Sequence, residues 1–377
     1  MPKLYNKFKA YLLITAVVIV STLVLWLPFL MKSPQWAGLA IPNSNFEYVL
    51  KHFDGPLYVV AAKTLYNPDL ISSLGLETSL PPIYFAAHLP LYPLFILVAT
   101  PVFGYLKSML VVNIIFTVLL AILFYEFLKN LRLTKHPLLL TSVFLFLPRF
   151  LVVRSVGAPE SLFMFLVLAS LFAFEKKNYV LAGLTGALAT ATKTPGILLL
   201  VVYAAVFIEA YIKERRVRAG MLWAGLIPLG LIAVFLLYLK QYGDYFAYFH
   251  TGGVVPMPYP FAVFNAKALW VGTAWLEDIL FYFFMYLLSV FSLVKSKFRS
   301  LFYFSLIFFI AVIFVQHRDI ARYSLPLWIT AAVAFEQFFT SKRFLLVLVL
   351  LLPAIYLYGW NFMLHNIMPI SNWAPYL

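Results

Sequence analysis

Apolar runs long enough to cross a lipid bilayer recur along almost the whole of this 377-residue chain. A helix rises ~1.5 Å per residue and the hydrocarbon core is ~30 Å thick, so about 20 apolar residues span it. Lipid offers no partner to an unpaired backbone group, so such runs fold as helices. The expected fold class is an all-α polytopic membrane protein. Charged residues make up 11% of the sequence, against about 25% in ordinary soluble domains, which leaves no room for a sizeable soluble domain. A net charge of +14 would suggest nucleic acid in a soluble protein. Here Lys and Arg gather in short loops that set topology, and no nucleic-acid partner is expected. The chain has no cysteine, which excludes a disulfide framework and a thiolate metal site.

The first run, Ala10 to Leu30, follows Lys3, Lys7 and Lys9. It is too long for a signal-peptide core and lacks a small-residue cleavage site, so an uncleaved helix over about 10–31 is expected, with a cytoplasmic N-terminus. An outer loop follows at 32–106. Its short apolar pieces, such as YVVAAKTLY, read as helices lying along the interface. The stretch 88–104 carries Pro90, Pro93 and Pro101 and is expected to be re-entrant or interfacial. Further spans are expected over 107–128, 137–153, 161–174, 180–192, 195–211, 219–239, 277–294, 300–316, 322–339 and 344–362, making eleven in all. The basic stretches KNLRLTK, Lys176–Lys177, KERRVR and KSKFR then fall inside, and 240–276 forms a second outer loop. The whole of 1–377 reads as one transmembrane domain, without a fixed-period or inverted repeat.

On this topology 17 of the 28 Lys and Arg lie inside, which leaves 28 − 17 = 11 outside. Outer loops should be poor in these residues, so the excess asks for a cause. Charges near a bilayer persist where they are paired or line a wet cavity. The outer charges group at Asp54, at Arg149, Arg154 and Glu160, at Lys193, and at Arg318, Asp319 and Arg322. All sit at helix ends and are expected to converge on one polar cavity.

Five stretches can carry chemistry. In HFDGPLYVVAA, Asp54 is either the N-cap of the following helix or a base held beneath the outer interface. In RSVGAPESLFMF, Pro159 and Glu160 suit a helix start, and at the cavity mouth Glu160 reads alternatively as a second acceptor-side carboxylate or a metal ligand, with Arg154 beside it as a substrate contact. Lys193 in LATATKTPGILLL either snorkels to the interface or binds phosphate at a helix start. In QHRDIARYSLPL, Arg318 and Arg322 either pair with Asp319 or contact phosphate. His250, in YGDYFAYFHTGG, and His88, in AAHLPLYP, read as belt or loop residues with a second reading as substrate contacts. Walker, GxGxxG, HExxH, GxSxG and DxD motifs are absent, so an activated lipid donor fits better than a nucleotide sugar.

Taken together the chain resembles the GT-C superfamily of polytopic glycosyltransferases, and within it the PIG-V-like mannosyltransferase family, whose eukaryotic members add the second mannose to GPI anchors. The resemblance is carried, in order over about residues 45–330, by HFDGPLYVVAA, HLPLYPLF, GAPESLF, LAGLTGALATATKTPGILLL and HRDIARYSLPL. It implies an inverting transfer of a sugar, typically mannose, from a polyprenyl phosphate to a glycolipid, glycan or protein hydroxyl in the membrane. It implies Asp54 as the base, with Glu160, Lys193, Arg318 and Arg322 beside it. No cofactor is implied, and a divalent metal stays open. The family's tryptophan is Phe53 here and its helix-pair arginine is Lys193. The short length suggests a prokaryotic member. Two rival classes are a lipid or solute transporter, which should place charges at mid-helix, and a scaffold subunit, whose outer charges would not converge.

Overall fold

The computed structural model describes residues 2–42, 45–78, 80–215, 219–251, 256–265, 267–268 and 276–377, with side chains from Lys7 onward except that of Glu214. Arg216 and Arg218 of the KERRVR stretch, and parts of the 240–276 loop, lie outside the described residues. The longer helices are α1 (Pro2–Leu30), α2 (Gly55–Thr64), α3 (Leu91–Phe103), α4 (Tyr105–Asn130), α5 (Pro137–Phe144), α6 (Pro148–Val153), α7 (Glu160–Glu175), α8 (Tyr179–Thr192), α9 (Leu198–Glu214) and α10 (Ile227–Tyr242). They continue as α11 (Glu277–Leu293), α12 (Arg299–Ile313), α13 (Ile320–Tyr323), α14 (Leu327–Ala334) and α15 (Lys342–His365). A hairpin of two-residue strands, Gln35–Trp36 and Leu39–Ala40, follows α1.

Helices α4 and α7 pack together at the centre; α8 covers α7 and α10 covers α8. On the other side α9, α11 and α12 form a group joined to α14, and α1 lies on α4 and α5. Five segments are long and apolar enough to cross a membrane: Lys7–Leu30, Tyr105–Asn130, Thr194–Lys213, Ala219–Tyr242 and Lys342–His365. Their outward faces are apolar, as at Leu13, Val20, Leu346 and Leu350.

Three expectations need correction. The YVVAAKTLY piece is not an exposed surface helix: Val59, Val60, Ala61 and Ala62 of α2 are fully buried, between α3, α4 and the C-terminal segment. The 137–153 stretch is two helices, because Pro148 forces Leu147 to extended backbone (φ −56, ψ 123). The 322–339 stretch is likewise broken near Pro326 into α13, α14 and the turn Glu336–Phe339. The break at Ser324–Pro326 is buried, as is α14 from Leu327 to Val333, so the irregular backbone is enclosed by protein rather than lipid. The 88–104 stretch is the 13-residue α3, about 20 Å long, which turns at Gly104 (φ 72) and packs back on α4.

Candidate active site

Asp54 stands at the N-cap position of α2, yet its side chain makes no cap hydrogen bond. Capping therefore does not account for the carboxylate. It is 46% exposed and borders a cavity of about 750 Å³. The chain reaches this point through Phe53, whose φ of 51 is a left-handed conformation that a bulky side chain adopts only under external constraint. The constraint comes from the C-terminal segment. Phe53 N donates to Asn366 O (3.1 Å), and Met368 N donates to Lys51 O (2.8 Å). On the other flank, a Cβ on Gly55 would lie 3.1 Å from Gly157 O, and one on Gly157 would lie 2.6 Å from Met109 Sδ. Only glycine at both positions lets the Asp54 loop approach the segment that leads into Glu160.

Glu160 opens α7 and is 2% exposed. Its Oε1 accepts from Arg322 Nε at 2.7 Å and from Lys193 Nζ at 2.7 Å. Arg322, on α13, also holds Nη1 3.6 Å from Asp54 Oδ2. Lys193 reaches Glu160 because the turn after α8 folds tightly back: a Cβ on Gly196 would lie 2.6 Å from Ala189 C. The Lys193 ammonium also lies 5.3 Å from the centre of the Tyr323 ring. Two cations and two carboxylates thus form one chain of contacts from Lys193 to Asp54. Burying a charge is tolerable where it is paired in this way.

A second pair lines the same cavity. Arg149, on α6, is paired with Asp319 and donates to Tyr358 Oη at 3.2 Å. Its guanidinium lies 4.0 Å from the Phe362 ring centre and 5.5 Å from that of Phe53. The guanidinium of Arg322 lies 4.4 Å from the Phe53 ring centre. Phe53 is therefore stacked by both arginines. His317 Nδ1 accepts from Asp319 N (2.9 Å). Burial, reinforced by the charge of Arg322, pushes His317 down to about 4, so it is neutral near pH 7.

The structure brings Asp54, Glu160, Lys193 and Arg322 together and places Arg318, exposed, on the cavity wall. Several roles change. Glu160 is buried behind the cations and holds them in place, which leaves it poorly placed to contact substrate. Lys193 does not border the cavity; its ammonium neutralises Glu160 from behind. Arg154 is fully buried away from the site, donating to Thr22 Oγ1 (3.0 Å) and Ser21 Oγ (2.7 Å) on α1. His250 is not at the cluster; it pairs with Asp244 at 2.6 Å, which holds that carboxyl below its usual range. Tyr248 of the same segment does reach the site's edge, 3.0 Å from Thr194 Oγ1. His88 is buried, ring to ring with Tyr58 at 4.8 Å, and burial lowers its pKa. Of the two alternatives for this stretch, the Arg318–Asp319–Arg322 network does not form, since Asp319 turns to Arg149 and Arg322 to Glu160.

Sequence reasoning placed Arg149 among the converging charges without giving it a role, noted Phe53 only as a departure from the resembled pattern, and did not find Tyr358. Arg149 and Arg154 share one stretch but sit five residues apart, about 140° around a helix at ~100° per residue. Only one of them can face the cavity, and Pro148, which starts α6 immediately before Arg149, gives no hint of which. Among the described residues no group of three His, Asp or Glu is placed to hold a metal ion.

No protein-family model matches the chain, and no curated protein matches it. Solved structures do resemble it, three of them as follows. The oligosaccharyltransferase of Archaeoglobus fulgidus in its apo form aligns at 13% identity with a TM-score of 0.54, over 96% of this chain and 57% of that one. The same organism's AglB, in complex with an inhibitory peptide and a dolichol-phosphate, aligns at 13% identity and 0.56, with the same coverage. ArnT from Cupriavidus metallidurans, bound to undecaprenyl phosphate, aligns at 12% identity and 0.54, over 89% of this chain and 61% of that one. The chain thus spans about three-fifths of the proteins it matches, and at this identity the likeness is one of fold. The chain shares the all-α polytopic fold of these solved structures.

Proposed function

We propose that the chain is an inverting glycosyltransferase that moves a sugar from a polyprenyl-phosphate donor to an acceptor hydroxyl. The observation that carries this reading is the Asp54 carboxylate: uncapped, half-exposed in the cavity and 3.6 Å from a buried arginine. Asp54 takes the proton of the acceptor hydroxyl as its oxygen attacks the anomeric carbon. The bond from that carbon to the phosphate oxygen breaks, and its electrons go to the departing phosphate. Arg318 and Arg322 stabilise that developing charge, while Glu160 holds Arg322 in position and Lys193 neutralises Glu160 from behind. The solved relatives of the fold were captured with dolichol-phosphate and with undecaprenyl phosphate, which supports a polyprenyl donor. Mannose as the sugar, and membership of the PIG-V-like family, rest on the five sequence stretches. The positive-inside reading places the site on the extracytoplasmic side and the N-terminus in the cytoplasm.

The test is an assay of purified protein with a panel of polyprenyl-phosphate sugars and lipid-linked acceptors. Turnover with polyprenyl-phosphate mannose supports the full reading. Turnover with another sugar keeps the reaction and removes mannose; no turnover across the panel, with lipid transport in vesicles instead, removes the reaction.

A further inference from the structure

Three helices that meet the Asp54 site at one end meet a second cavity at the other. Glu160 begins the 16-residue α7 and Glu175 ends it, about 22 Å away. Lys193 and Thr194 precede α9, and Glu209 and Lys213 lie near its far end. Arg299 begins α12, which ends four residues before His317. Glu175, Lys177, Glu209, Lys213, Lys297 and Arg299 all line this second cavity, of about 330 Å³.

Its charges do not balance. Glu209 already accepts from Lys213 (2.6 Å) and from Arg299 Nε (2.7 Å), and Glu175 accepts from Ser300 Oγ (2.5 Å). Lys177 and Lys297 have no carboxylate partner among the described residues. Among the described residues four cations face two carboxylates, an excess of two positive charges, so the cavity calls for an anion. Arg299 is held rigidly for it: Nη1 donates to Val294 O at 2.5 Å, and the guanidinium lies 4.4 Å from the Phe302 ring centre. Fixed guanidinium groups suit phosphate oxygens.

The surroundings say what carries the anion. Ile208, Tyr211 and Ile212, in the same turns of α9 as Glu209 and Lys213, are 54%, 44% and 63% exposed. Trp223, near the cavity-lining Met221, is 50% exposed. Apolar side chains continuing along a helix from a cationic pocket, with Trp and Tyr at the junction, match a headgroup above acyl chains. We propose that this cavity binds the phosphate headgroup of an anionic membrane lipid, at the end of the bundle remote from the Asp54 site. The site is independent of the proposed transfer.

The test uses the full chain in nanodiscs and native mass spectrometry of lipid retained on release. Phosphatidylglycerol should be retained over phosphatidylcholine, and excess inorganic phosphate should not displace it. The triple variant Lys177→Gln, Lys213→Gln, Lys297→Gln should lose that preference by on the order of 100-fold, given the contribution of each Lys to anionic-lipid binding. Lys240→Gln, an exposed lysine at the far end of α10, should leave it intact. Lys297→Glu, a single change at an exposed position, repeats the test should the triple variant be unstable. Equal retention of the two lipids, unchanged preference in the variants, or displacement by inorganic phosphate would overturn the proposal.

Discussion

Arg322 Nε meets Glu160 Oε1 at 2.7 Å while the same guanidinium lies 3.6 Å from Asp54 Oδ2. One buried arginine thus links the two acids. Glu160 is almost wholly enclosed, with a side-chain exposure of 3%, and it is the carboxylate that keeps two cations in place. Glu160→Ala should therefore destabilise the protein by about 3–5 kcal/mol, the cost of leaving buried charges unpaired. Thermal unfolding in detergent measures this. A variant as stable as the parent would show that Arg322 and Lys193 find other partners.

Arg149 and Arg154 should separate cleanly. Arg149 lines the cavity and Arg154 ties α6 to α1. Arg149→Met should lower turnover by about 100-fold or more if its charge serves the departing phosphate. Arg154→Met should leave turnover within about threefold, because removal of a buried charge together with apolar replacement is often near neutral. Equal losses in both would contradict the division of roles.

Phe53 supports two guanidinium groups with one ring. Phe53→Leu should cost about 1–2 kcal/mol in stability from lost cation–π contact and should raise KM more than it lowers kcat. Phe53→Trp should retain both functions, since the indole presents a larger face. Steady-state kinetics with thermal unfolding decide the matter.

His317 makes stability fall on acidification. Its pKa in the folded protein is depressed to about 4 from about 6.5 in the unfolded chain. The unfolded chain binds more protons between those values, so stability is fully present above pH 6.5 and declines as pH falls toward 4. Protonation also ends the acceptor role of Nδ1 toward Asp319 N. His317→Asn should flatten this part of the profile; an unchanged slope would place the acid sensitivity elsewhere.

How far the chain could be read in advance varied by element. Long apolar runs declared α1, α4, α10 and α15, because a 20-residue apolar helix has few alternatives. Runs broken by proline did not: Pro148 and Pro326 split stretches whose hydropathy looks continuous, and burial by neighbouring helices supplied what lipid exposure could not. The grouping of Asp54, Glu160, Lys193 and Arg322 followed from charge placed where charge is costly. Which side of a helix each charge faced did not follow, as Arg149 and Arg154 show. His250 misled because an exposed ion pair with Asp244 looks in sequence like a site residue. The contribution of residues 366–368, which hold Phe53 in its left-handed conformation, is a long-range contact with no local signal.

The central claim is that Asp54 is the base. Its side chain is 46% exposed and caps nothing, so Asp54→Asn should leave the melting temperature within a few degrees of the parent. The same variant should lose transfer by about 100- to 10,000-fold, the usual weight of a general base. The most direct measurement is single-turnover transfer by purified Asp54→Asn protein with a saturating polyprenyl-phosphate sugar, alongside its unfolding curve. Near-parental folding with transfer lost is the predicted result; near-parental folding with transfer retained would contradict the assignment.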